Sequence, residues 1–330
     1  MTIFPAQTMF SKHAAAGFQI RSSAVQAESG YLRPQQSDQS GGRHTMFKTA
    51  LNILAATTIA ASAMTFGIAD DSTAAHAADK LNTQYDLYTR GMRAFALNYS
   101  AEIDRNSFNA KAKLRPKGLA SLFIDLKMDM ASSGVITKKG SQSRAFSMAV
   151  REKGRERRYK VGFRGLKPVS SQRQPGVNAE TEAKLAKEAA KGARDTLASI
   201  MDLAVTTAAN PCDSNYRVYN GKEVFQLSLA KIKDDNFGKK DGGVYRGPAI
   251  VCSMTYSTLA GLSAKTQAKY AKNPPSFKVW FAPVESAALG RNLNVLVAVT
   301  GKLKGKKFVA YINRATINGR PFNSKSLAKK

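Results

Sequence analysis

The dominant period of this chain beyond residue 95 is two, and no other feature narrows its fold so far. In FALNYSAEI, Phe95, Leu97, Tyr99, Ala101 and Ile103 are apolar while Asn98, Ser100 and Glu102 are not. Side chains spaced this way share a face only on an extended strand with one wet side. A turn at Arg105-Asn106-Ser107 leads to FNAKAKLRP, where Phe108, Ala110, Ala112 and Leu114 alternate with Asn109, Lys111, Lys113 and Arg115. The next expected strand sets Leu122, Ile124, Leu126, Met128 and Met130 against Asp125, Lys127 and Asp129. Three such neighbours form a meander. RAFSMAV and RRYKVGFRG continue the pattern through Phe146, Met148, Val150, Tyr159, Val161 and Phe163.

The period then breaks. PVSSQRQPG, 168–176, has the Pro, Ser and Gly content of a linker. AETEAKLAKEAAKGARDTLASIMDLAV follows, in Ala, Glu, Lys and Leu, which favour helix. Gly192 divides it and Asp195 is placed to cap the second part. Leu197, Ile200, Met201 and Ala204 fall on one face, so that part packs on the sheet; the first part has a thin apolar stripe and reads as an excursion. Further on, Asn220-Gly221 separates two alternating runs, a strong hairpin signal. DDNFGKKDGG, 234–243, is a polar loop, and AIVCSMTY, SFKVWFAPV, NLNVLVAVTG and KKFVAYINRATING supply more strands, with Pro274 and Pro275 ahead of the second. About ten to twelve strands surround one helical insertion near 179–207, with no repeat of fixed length. The expected fold is mainly β: a large curved antiparallel sheet or open barrel in a single domain over 78–330.

What precedes that domain reads as an address. Lys48 is followed by an uncharged, alanine-rich apolar stretch from Thr49 to Ala69, and Ala75-His76-Ala77 offers the small-x-small pattern of a signal-peptidase site. Residues 46–77 are therefore expected to be a signal peptide cut after Ala77. An uncleaved membrane anchor is the alternative, since about 20 apolar residues span a bilayer. Residues 1–45, without a hydrophobic period, read as a disordered extension or a misplaced start. His13, His44 and His76 all lie before the cut. The mature chain then lacks the imidazole that Ser-His-Asp triads, Cys-His pairs and histidine metal sites need. No catalytic residue, cofactor or metal site is expected.

The charge points to partners. Of 51 basic and 23 acidic residues, five bases and four acids precede residue 78, which leaves a net charge of +27 beyond it. Such a field draws polyanions and anionic surfaces, although lysines can also serve only to solubilise. An exported protein rarely meets nucleic acid, so anionic lipid, lipopolysaccharide or peptidoglycan is the expected partner, with peripheral membrane contact as a further option. Arg155, Arg157, Arg158, Lys160 and Arg164 form the densest basic cluster. Cys212 and Cys252 stand alone, and outside the cytoplasm an isolated pair is most simply a disulfide; two buried thiols are the alternative.

Certain segments resemble the domain of unknown function 3108 family of exported proteobacterial proteins. They are YDLYTRGMRAFALNYSAEI, GRERRYKVGF, DTLASIMDL, PC with VYNGKEVFQLSL, YRGPAIVCSMTY with AGL after it, VWFAPV, and VAVT ahead of ATING. The resemblance runs from about Tyr85 to Gly319 and departs at Thr196, where the family usually has proline. It implies an envelope protein with a strongly curved antiparallel sheet, like periplasmic lipoprotein carriers in outline, and carries over no catalytic residues.

Three function classes follow, and the expected one is the first: a periplasmic, non-enzymatic protein that binds an amphipathic or anionic envelope component in support of envelope integrity, with the other two as alternatives. A binding module would hold an acyl chain against Leu122, Ile124, Leu126, Met128 and Met130 with basic residues at the rim. A structural envelope protein would dock a basic face on an anionic surface and hold no small ligand. A hydrolase would use carboxylates such as Asp125 and Asp129, which share a strand's polar face. A large empty cavity favours the first; a filled core with basic residues on an outer face favours the second.

Overall fold

The computed structural model describes residues 78–206, 210–238, 242–303 and 306–322. The expectations for 1–45 and 46–77 lie outside the described residues. The elements are β1 (Asp79–Thr89), β2 (Met92–Ile103), β3 (Ser107–Pro116), α1 (Ala120–Phe123), β4 (Leu126–Thr137), β5 (Gly140–Glu152), β6 (Arg155–Arg164) and β7 (Lys167–Gln174). Then come α2 (Ala179–Ala189), α3 (Thr196–Val205), β8 (Ser214–Tyr219), β9 (Val224–Phe237), β10 (Gly247–Ala260), α4 (Ala264–Lys272), β11 (Ser276–Ser286), β12 (Arg291–Leu303), β13 (Lys306–Ile317) and β14 (Arg320–Pro321).

Alternation of side chains produces one antiparallel sheet, in the order β7-β6-β5-β4-β3-β2-β1-β13-β12-β11-β10-β9-β8, with β14 on β13. Neighbours in the order are also neighbours in the chain, except that β1 pairs with β13 and so joins the two halves. β1 precedes the earliest strand expected from the alternation, and its pairs Leu81↔Ile317 and Tyr85↔Ile312 are central to the sheet. Its first residue is fixed: the buried Asp79 carboxylate accepts from Ser286 Oγ, from Ala288 N at 3.1 Å and from Asn318 Nδ2 at 2.7 Å.

Six expectations are corrected. The described residues hold 14 strands rather than ten to twelve. The supposed linker 168–176 is mostly β7, an edge strand whose polar residues are tolerated because most of them stay exposed. Leu122 and Ile124 do not begin β4: Leu122 lies in the one-turn helix α1, Ile124 caps its end, and extended structure starts at Leu126. The polar run from 234 continues β9 to the buried Phe237 before the loop begins. The helical insertion divides as expected around Gly192, but α1 and α4 are additional helices, and the thin stripe of α2 is not an excursion, since Leu185 and Ala189 are fully buried.

α3 lies inside the curved sheet, packed on β3, β4, β5, β8 and β12. Buried backbone ends need partners, and both ends of this helix have them. Asp195 accepts from Leu197 N at 2.8 Å and Ala198 N at 2.9 Å, while Ser132 Oγ donates to its other oxygen at 2.7 Å. At the far end Arg291 donates to the Val205 carbonyl at 2.8 Å. Asp202 accepts from Ser141 N and faces Arg194 at 3.7 Å. A Cβ at Gly140, whose φ is 98°, would collide with the Asp202 carboxylate, so the turn into β5 requires glycine.

The edge strands β7 and β8 do not pair with each other. The chain between α2 and α3 fills the gap: Ala193 N donates to Leu166 O at 2.6 Å, Arg194 N to Arg217 O at 3.0 Å, and Tyr219 N to Arg194 O at 2.8 Å. Arg173 of β7 completes the seam, with its guanidinium on Glu182, Tyr219 Oη and the Gly221 carbonyl. Its side chain is only 4% exposed. Cys212 and Cys252 are joined in a disulfide that ties the chain entering β8 to β10, two strands away.

Three outcomes follow from these contacts. Arg173→Ala should cost about 2–3 kcal/mol in urea unfolding and speed amide exchange along β7, because it leaves seam acceptors without a donor; Arg173→Lys should not restore the loss, having no planar fork. Replacing both cysteines by alanine, which opens a loop of 40 residues, should cost about 4 kcal/mol by the same measurement. Burial pushes the Asp195 carboxyl above its ordinary 3.8, against the hydrogen bonds that pull it down. A carboxyl raised on folding contributes stability that is full below the unfolded value and lost as pH rises through the folded one. Asp195→Asn keeps the cap acceptor and removes that slope, so the wild type should lose stability relative to the variant as pH is raised from near 3.8.

Candidate functional site

The interior offers little room. α3 occupies part of it, and an apolar cavity of about 80 Å³ is lined by residues that include Tyr85, Tyr99, Met130, Leu197, Ala204 and Phe281. Small-molecule sites usually need roughly 300–1,000 Å³. Tyr85 donates to the Leu296 carbonyl at 2.7 Å, and burial pushes its hydroxyl up to about 12 and that of Tyr99 higher still, so both stay neutral.

The five residues expected to line an apolar groove are not brought together. Met130 borders the small cavity, Met128 packs on the core from a half-buried position, and Leu126 and Ile124 are half-buried near the strand end. Leu122 is 74% exposed on α1. The carboxylates Asp125 and Asp129 are held in structural bonds: Asp129 takes a two-pronged contact from Arg115 at 2.7 and 2.8 Å, and Asp125 accepts from Gly154 N at 2.9 Å.

Alternation also divides the basic cluster of β6. Arg158, Lys160 and Arg164 are exposed and share parity, whereas Arg155 and Arg157 share the parity of the buried Tyr159, Val161 and Phe163. Arg158 pairs with Glu156 at 2.6 Å and Arg157 with Glu152 at 3.3 Å. The cluster is therefore not one patch. Its member with the most consequential neighbours is Lys160.

Lys160 belongs to a row that crosses eight strands. Register places Thr316, Asn82, Ser100, Lys111, Ala131, Ser147, Lys160 and Gln172 side by side, from β13 through β1 to β7. Seven interstrand gaps span roughly 34 Å. Rows on either side, facing the same way, add Gln84, Asn98, Lys113 and Arg314 on one flank and Lys80, Glu102, Asn109 and Ser133 on the other. The surface dips along this line in three depressions of about 370, 380 and 470 Å³, and Lys111 borders all three. Short side chains at Ala131, Ser133, Ala145 and Ser147 make the floor of the largest.

The chemistry of this groove is amide, hydroxyl and ammonium. Among the described residues that line the three depressions, Glu102 is the only acid. Lys111, Lys113, Lys160 and Arg314 have no carboxylate within ion-pair distance among the described residues. Such a surface can hold anionic groups through its cations and sugar-like hydroxyls through its amides. Sequence reasoning missed it because it sought clusters along the chain. The signal was present in the wet positions of FALNYSAEI and FNAKAKLRP, but only cross-strand register aligns them. No group of three His, Cys, Asp or Glu among the described residues is arranged to hold a metal ion.

Two solved structures align with this chain at low similarity. One is a crystal structure of a beta-barrel-like protein of domain of unknown function DUF1849 from Brucella abortus, at 10% identity and a TM-score of 0.39, covering 74% of this chain and 99% of that one. The other is MucB in complex with MucA(peri), at 9% identity and a TM-score of 0.09, covering 73% of this chain and 89% of that one. No curated protein matches the chain. The family described as "Protein of unknown function (DUF3108)" matches residues 84–301, well over half the chain, and the protein belongs to that family.

Proposed function

We propose that the protein is an exported, non-enzymatic component of the periplasm that binds an anionic, hydroxyl-bearing envelope polymer, such as peptidoglycan or the glycan of lipopolysaccharide, along its outer face. The observation that carries this reading is the set of three depressions around Lys111, along a cross-strand row of about 34 Å by strand spacing, in which amides and hydroxyls accompany cations and Glu102 is the one acid among the described lining residues. A polymer suits it better than a small ligand, because three open depressions share Lys111 and together reach from β13 to β7. The filled interior weighs against carriage of an acyl chain: the remaining 80 Å³ would not take one.

Export is supported by the leader-like stretch at 46–77 and by the disulfide, which suits an oxidising compartment. The described helices include none long and apolar enough to cross a membrane.

Charge reversal tests the reading. Lys111→Glu with Lys160→Glu should weaken binding to isolated peptidoglycan sacculi and to purified lipopolysaccharide by roughly tenfold at low salt, with the wild type losing affinity as salt rises. Both residues are exposed, so circular dichroism should show an unchanged fold. Equal binding of variant and wild type to both polymers would reject the groove.

A further inference from the structure

We propose that the end of the sheet carrying α1 is a docking tip for an anionic phospholipid bilayer, with Leu119, Leu122 and Phe123 entering the headgroup and upper acyl region. The inference is independent of the polymer groove, which lies on the side of the sheet.

The tip is apolar where it projects. Leu119 is 71%, Leu122 74% and Phe123 85% exposed, and Met92, at the start of the neighbouring strand β2, is 59% exposed. α1 has no buried residue, so its side chains do nothing for the core. The turn is nonetheless firmly mounted. Lys117 N donates to Ala94 O at 2.9 Å, Ile124 N to Ala120 O at 2.8 Å, and Lys153 N to Asp125 O at 3.1 Å, which fix the β3–β4 connection to β2 on one side and to the β5–β6 turn on the other. A rigid mount that holds three large apolar side chains in water loses free energy unless something else covers them.

What covers them is indicated by charge. The same end of the sheet carries Arg90, Lys117, Lys127, Lys153, Lys302 and Lys307, all exposed. Register places Thr89 beside Phe308, so the β1–β2 and β12–β13 turns are adjacent, and it places Lys127 directly opposite Arg151. The nearby acids are engaged: Asp86 with Arg93, Glu152 with Arg157, and Asp125 with the backbone of Gly154. Apolar side chains within a cationic collar match the layered chemistry of an anionic bilayer, whose phosphates lie outside its hydrocarbon. A second copy of the chain would instead bring collar against collar, and like charges oppose that contact.

The test is flotation of the purified chain with vesicles of phosphatidylcholine alone and of phosphatidylcholine with phosphatidylglycerol. Binding is expected on the anionic vesicles only, weakening with salt, and Leu122→Ser with Phe123→Ser should lower it by roughly tenfold or more. A Phe123→Trp reporter should shift its emission to the blue on the same vesicles and be quenched by acyl-brominated lipid. The proposal is overturned if the wild type ignores anionic vesicles, if the double variant binds as the wild type does, or if sedimentation shows a dimer that the double variant dissolves.

Discussion

A sheet with two ends has two rows of backbone donors and acceptors to satisfy, and the way this one satisfies them governs the rest of the molecule. In a closed barrel the first and last strands would pair. Here residues 193–194 stand between the two ends: Ala193 donates to Leu166 in the β6–β7 turn, and Arg194 both donates to and accepts from β8. Arg173 then spans the seam with one guanidinium, reaching a carbonyl, a hydroxyl and a carboxylate. A side chain with a fixed fork of donors suits a place where the backbones are too far apart for a ladder. Gly221, at a φ of 81° in the β8–β9 turn, lets that turn close on Tyr159 of β6, where a Cβ would come within 2.8 Å of the ring-bearing carbon.

The wedge has a consequence for the interior. The segment that fills the gap leads straight into α3, so closing the seam delivers a helix to the inside of the sheet. There it occupies space on the inner side of the curved sheet. Burying a helix end normally leaves unsatisfied groups, and Asp195 resolves this by capping α3 while accepting from Ser132. The same residue thus joins seam, helix and sheet. With α3 on the inner side, both proposed binding surfaces lie away from the interior.

How far the sequence discloses this depends on the range of the interaction. Period two identifies strands because burial acts on alternate residues locally, and it places β2, β3, β5 and β6 well. Asp195 as a cap and Asn220-Gly221 as a turn are equally local, and both are found where the residue types put them. β7 was misread because Pro168, Ser170, Ser171 and Pro175 carry turn chemistry, while its strand state comes from pairing with β6 and from Arg173, neither of which is local. Leu122 and Ile124 extend the alternation of β4 by coincidence. Gly118 adopts a positive φ of 59° just before them, and the chain turns there instead of extending. The groove was illegible for the same reason as β7. Asn82, Ser100, Lys111 and Lys160 fall in one row only once the six strands from β1 to β6 are in register.

The placement of charge bears on whether the excess of bases is merely solubilising. A surface built for solubility intersperses both signs, and parts of this one do: Lys184 pairs with Glu180 at 2.6 Å, Lys191 with Glu188 at 2.7 Å and Lys231 with Asp234 at 2.8 Å. Where the acids are withheld is therefore informative. They are scarce along the Lys111 depressions and already engaged around α1. Like charges gathered without partners cost the folded state through mutual repulsion. An anionic surface would relieve that cost, which is why the uneven distribution supports the proposed binding. The groove crosses the strands while the tip lies at their ends, so a protein resting on a membrane by its tip would hold a polymer roughly along the membrane plane.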